Sequence, residues 1–124
     1  MAEIVPRWEW RMFAERFGAA ERRLASLAAA LPQVSDEQYV LGLRSEASVK
    51  VRDWLMDVKR LEHVDDHGLE QWRPVMKAAF PLAQAGVVTV IEALGGSPAD
   101  LERAEYTVDE LVGEVLRPRA DVLV

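Results

Sequence analysis

Cysteine is absent from the 124 residues, so the chain has neither a disulfide framework nor a thiolate metal site. Histidine occurs twice, and no apolar run approaches the roughly 20 residues that a membrane span needs. The amino terminus does not read as a signal peptide, because Ile4 and Val5 are followed at once by Pro6, Arg7 and Glu9. Positive charge is in deficit: 15 Lys and Arg stand against 21 Asp and Glu, for a net charge of −6. That balance argues against a general nucleic-acid binder. No Gly-x-Ser-x-Gly elbow is present, and Gly95-Gly96-Ser97 lacks both the lysine and the preceding strand of a phosphate loop. What is present is a chain 50% hydrophobic, long enough to bury one core as a single domain over residues 1–124. It reads as soluble and cytoplasmic.

The richest segment is Ser48 to Lys77. Its residues alternate apolar and charged, and two turns fix how its strands pair. Asp53-Trp54 makes the first reversal. Asp65-Asp66-His67-Gly68 makes the second, with Gly68 able to take the positive φ such hairpins require. Centring the loops there predicts Lys50 opposite Asp57, Arg52 opposite Leu55, Lys59 opposite Pro74 and His63 opposite Glu70. Residues two apart on a strand share a face. One face therefore carries Lys50, Arg52, Asp57, Lys59, Glu70 and Trp72, and the other Val49, Val51, Met56, Val58 and Val75. A slip of one residue would invert every side chain, so the clean split supports this register. Upstream, Pro6 to Phe13 alternates in the same way, with Arg7, Glu9 and Arg11 on one side and Trp8, Trp10 and Met12 on the other.

The rest of the pattern predicts an α+β fold, an antiparallel meander with helices on its apolar face. Gly18–Leu31 reads as a helix with a stripe of Ala20, Leu24, Leu27, Ala28 and Leu31, closed by Pro32. Asp36–Arg44 reads as a strand with Tyr39, Leu41 and Leu43 on one side. Pro81 suits the first turn of a second helix, buried through Val87, Val88, Ile91 and Leu94 and ended by Gly95-Gly96. Ser97 and Thr107 each precede an acidic residue by three positions, a capping pattern. Leu101–Tyr106 reads as extended or loop and Thr107–Leu116 as a short helix, while Ala120–Val124 resembles the start of a strand. His63, His67, Asp65 and Asp66 invite a metal reading, but a turn explains them and no further ligand is spaced to close a site.

Pro6–Phe13, Ser48–Leu61 and Gly68–Leu82 together resemble the CYTH superfamily, or triphosphate tunnel metalloenzymes, and are most similar to a bacterial branch associated with polyphosphate. The resemblance implies an antiparallel β-tunnel whose inward Lys and Arg grip a triphosphate and whose inward Glu residues hold Mg²⁺ or Mn²⁺. By position, Arg7, Glu9 and Arg11 stand where the family's opening Glu, Glu and Lys would be. Lys50 and Arg52 match its basic strand, Lys59 its lysine strand, and Glu70 a later Glu. These are the residues that pairing alone places on the charged face. Arg7 in place of the first Glu puts the divalent metal in doubt, and the strands are too few to close a tunnel.

The resulting expectation is a half-tunnel that binds polyphosphate or a triphosphate through Arg7, Arg11, Lys50, Arg52 and Lys59. Glu9 and Glu70 are the candidate metal ligands. Any enzyme activity would be a metal-dependent phosphohydrolysis. No nucleic acid and no membrane is expected as partner, and a homodimer or partner chain would complete the tunnel. The alternative is a non-catalytic interaction module that pairs through open sheet edges.

Overall fold

The alternation of Ser48–Ala79 is realised as three long strands of one antiparallel sheet. The structure, a computed structural model, describes residues 5–27, 31, 34–98 and 100–124. In chain order the elements are β1 (Arg7–Glu9), α1 (Ala19–Leu27), β2 (Glu37–Gly42), β3 (Ser48–Arg52), β4 (Leu55–Val64) and β5 (Glu70–Ala79). They continue with β6 (Leu82–Ala83), α2 (Gln84–Ala93), β7 (Glu105–Tyr106), α3 (Val108–Glu110) and β8 (Val122–Leu123). The main sheet is ordered β1-β5-β4-β3-β2-β8, and β6 pairs with β7 apart from it. The fold is therefore α+β, as the periodicity predicts.

Both reversals form where the sequence places them. Asp53 and Trp54 have φ of 50° and 61°, the two positive values of a tight two-residue hairpin. Asp accepts that region readily, whereas Trp54 enters it at a steric cost. At the second turn Gly68 has φ 81°, and the Asp65 carboxylate accepts hydrogen bonds from the backbone N–H groups of His67 and Leu69. The pairs Lys50–Asp57, Arg52–Leu55 and Lys59–Pro74 are as expected.

Two β-bulges correct the rest. His63 lies opposite Gln71, and Val64 takes the place opposite Glu70, because the register shifts between Leu61 and His63. A second shift leaves Val75 unpaired and exposed, while Met76 sits opposite Val58 and packs on the core. An extra residue on one strand re-aims every side chain beyond it.

Val49, Val51, Met56 and Val58 are buried, joined by Val40 from β2. Over them lie Val87, Val90 and Ile91 of α2 with its C-cap Leu94, and Leu111, Val112 and Leu116 of a π-helical stretch (Leu111–Leu116) that continues α3. Helix α2 begins at Gln84 rather than Pro81, because Leu82 and Ala83 are taken up in pairing with β7. It ends in a Schellman arrangement: Gly95 N–H donates to the Glu92 carbonyl and Gly96 N–H to that of Ile91. Thr107 caps α3 in a full capping box with Glu110. The tail forms β8, which covers the outer edge of β2 at Leu41 and Gly42.

The amino-terminal part departs most from expectation. β1 stops at Glu9 instead of reaching Phe13, and α1 buries none of its residues. Ala28 and Pro32 lie outside the described residues. No described helix is long and apolar enough to cross a membrane.

Candidate functional site

Opposite the helices, the sheet presents its polar face. The ladder sets Glu37 beside Arg52, Tyr39 beside Lys50, Ser48 beside Lys59, and Asp57 between Lys50 and Lys77. At the far edge Arg7 lies beside Trp72 and Glu9 beside Glu70. The cations Arg7, Arg11, Lys50, Arg52, Lys59 and Lys77 thus outnumber the carboxylates Glu9, Glu37, Asp57 and Glu70. This is a locally basic face on an acidic chain.

A groove of 610 Å³ runs over this face, lined by Glu9, Arg11, Tyr39, Ser48, Lys50 and Lys59, with Trp8, Trp10 and Phe13 as an aromatic wall. Period-two alternation brings the lysines here from two neighbouring strands. Arg11 follows the end of β1 and is held there by its partners: it donates to the Glu9 carboxylate at 3.0 Å, and its guanidinium lies 5.7 Å from the Trp72 ring centroid. Lys59 Nζ donates to the other Glu9 oxygen at 2.9 Å. Lys50 Nζ lies 3.4 Å from both Glu37 oxygens and 5.7 Å from the Tyr39 ring centroid. Arg52 shares Glu37 at 3.4 Å, and the Tyr39 hydroxyl donates to Glu37 at 2.7 Å.

These contacts tune the acids. Burial pushes the Glu9 carboxyl up, but Lys59 and Arg11 together outweigh it and hold the group below its ordinary value. For Glu37 the Tyr39 hydrogen bond is the largest influence, and with Lys50 and Arg52 it lowers the carboxyl against the opposing effect of burial. The same hydrogen bond raises Tyr39, since losing its proton would set an anion against Glu37. Both carboxylates therefore stay charged at neutral pH and keep the lysines partly neutralised.

The residues expected to bind an anion are not all gathered in one place. Arg11, Lys50 and Lys59 share the groove, whereas Arg52 lines an adjoining recess with Lys77 and Asp53. Arg7 is exposed on β1 and does not line the groove. Glu9 and Glu70 are cross-strand neighbours, but Glu9 is already engaged by two cations. Among the described residues no group of three or more His, Asp or Glu side chains could share an ion. Mg²⁺ is usually held by one or two carboxylates together with a ligand's phosphates, so the Glu9–Glu70 pair is the set that could hold it, with Glu9 already shared by Lys59 and Arg11.

Glu37, Tyr39 and Ser48 are site residues that motif reasoning overlooks. Their signal lies in the spacing: Glu37 and Tyr39 are two apart and continue the register of Arg52 and Lys50 onto the next strand. Two buried polar groups also mark this face. Asp57, 8% exposed, is the one buried charged residue among those described, and the Trp72 Nε1–H is buried with no acceptor. A donor left without a partner costs about 1–3 kcal/mol, so such groups call for an explanation. Comparison with protein-family models, with curated proteins and with solved structures yields no match.

Proposed function

We propose that the polar face binds a linear phosphoanion of the triphosphate or short polyphosphate class. The observation that carries this reading is the convergence of Arg11, Lys50 and Lys59 with the Tyr39 and Ser48 hydroxyls in one groove. The resemblance of Pro6–Phe13 and Ser48–Leu61 to triphosphate tunnel proteins supports it independently. Resting ion pairs make the ligand's charge decisive. A monoanion would only exchange one carboxylate for another, whereas a triphosphate brings several charges and repays the displacement of Glu9 and Glu37. Arg52, in the adjoining recess, extends the reach of the site along the same face. The reading is one of binding.

The alternative, edge-to-edge pairing with another chain, would use the stretches left open beside the short edge strands: β1 covers β5 only at Glu70–Trp72, and β8 covers β2 only at Leu41 and Gly42.

Titration calorimetry with tripolyphosphate at low salt tests the proposal. The expected dissociation constant is on the order of micromolar or tighter, weakening steeply as salt screens the contacts. Mg²⁺ should not strengthen binding, because Arg7 stands where the resembled family has its first Glu and Glu9 is engaged by Lys59 and Arg11. Absence of heat at low salt would remove the ligand, and binding that required Mg²⁺ would restore Glu9 and Glu70 as metal ligands.

A further inference from the structure

One side chain is shared between the polar-face groove and the recess beside it. Tyr39 and Lys50 line the groove, whereas Ser35 and Arg52 line the recess, 450 Å³ in volume, with Asp53 and Lys77. The Glu37 carboxylate lines neither cavity, yet residues of both hold it. From the recess, Ser35 Oγ donates to Oε1 at 3.3 Å and Arg52 Nη1 to the same oxygen at 3.4 Å. From the groove, the Tyr39 hydroxyl donates to Oε2 at 2.7 Å. Lys50 Nζ spans both oxygens, 3.4 Å from each.

Alternation brings these donors together. Glu37 and Tyr39 are two apart on β2 and share its polar side, and the register sets Arg52 and Lys50 opposite them. An ionised carboxylate only accepts, through about four lone-pair sites, so Glu37 is fully engaged. Two cations and two hydroxyls around one anion would serve a phosphoryl group equally well, because its oxygens accept the same charge-assisted bonds. Glu37 thus fills a formed anion site with the chain's own charge.

We propose, on the strength of the phosphoanion reading of the groove, that Glu37 stands in for one phosphoryl group of the ligand and sets the length of chain the site accepts. Tripolyphosphate in the groove competes with Glu37 for its donors. A longer linear polyphosphate takes the same place and continues into the recess, where Arg52 and Lys77 outnumber the one acid, Asp53. Displacing Glu37 joins the two cavities into one site.

Titration calorimetry at low salt, with tripolyphosphate and with a longer linear polyphosphate, tests the proposal. Glu37→Gln keeps the shape and removes the competing charge, so it should tighten tripolyphosphate binding by about tenfold. Asp36→Asn removes the same charge from the adjacent exposed residue and should change binding by less than about twofold. Lys77→Ala should weaken the longer chain by about fivefold and leave tripolyphosphate unchanged. Weaker or unchanged binding in Glu37→Gln would overturn the proposal, because Glu37 would then organise its donors without competing for them. So would an equal gain in Asp36→Asn, or a Lys77→Ala effect on both ligands or on neither. In each of these cases the groove still binds tripolyphosphate. No heat from the unmodified protein with either ligand would instead remove the phosphoanion reading, and the role of Glu37 with it.

Discussion

The two faces of β3 and β4 are made by the same residues in alternation, yet they are finished in opposite ways. Toward the helices, Val49, Val51, Met56 and Val58 are sealed by α2 and the π-helical stretch. On the polar side, Lys50, Arg52 and Lys59 meet carboxylates, and Lys50 also the Tyr39 ring. The apolar face gains stability from area removed from water, at about 25 cal/mol per Å². The polar face gains little, because half-exposed ion pairs contribute about 0–1 kcal/mol each. The first face holds the fold together, and the second is left free to exchange partners.

The comparison is broken most severely from the apolar side. Val58 is fully buried, and Val58→Asp places a carboxylate within the apolar core. It should cost several kcal/mol and unfold the domain or leave it near its midpoint at 25 °C. A urea midpoint that hardly moved would show that the faces are assigned wrongly.

From the polar side, Lys50→Ala and Lys59→Ala should each lower stability by no more than about 1 kcal/mol. Each should nevertheless weaken tripolyphosphate binding by on the order of tenfold or more, the weight of a charge-assisted hydrogen bond. Arg7→Ala should change binding least, because Arg7 does not line the groove. Denaturation and calorimetry on the same three variants separate the faces. Equal losses in stability and binding would merge them.

The register of β3, β4 and the start of β5 is legible because alternation and two turn signals agree, and nothing else in the chain speaks so clearly. The bulges are not legible. Val75 and Met76 are both good strand residues, so the sequence gives no sign of which one drops out of the ladder. Glu37 and Tyr39 are hard to see for another reason: β2 offers Val40 to the core and keeps Tyr39 and Leu41 exposed, so its outward side looks apolar. In α1 the stripe is read correctly as a helix signal, but periodicity does not say what would cover it, and none of its residues is buried. The charged face follows from the alternation of charge, whereas the sharing of Glu9 by Lys59 and Arg11 follows from the pairing of β1 with β5.

The smallest expected effect is on pH dependence. Glu9 and Glu37 are held below their ordinary value of 4.5, so their contribution to stability is present above that pH. It is lost as pH falls through their lower folded-state values. Tyr39, raised above 10.0, acts in the opposite sense: its contribution is present below pH 10 and lost as pH rises through the folded-state value. Glu37→Gln should flatten both limbs of a stability profile, since one carboxylate takes part in both. A profile unchanged at the alkaline limb would remove the Tyr39–Glu37 hydrogen bond from the account.

Backbone amide chemical shifts during titration with tripolyphosphate test the division of the faces most directly. The account predicts shifts concentrated at Arg11, Tyr39, Ser48, Lys50 and Lys59, lost at high salt, with α2 and the π-helical stretch silent. Shifts centred instead on Arg60, Thr89 and Glu92 beside α2, or no shifts at low salt, would contradict it.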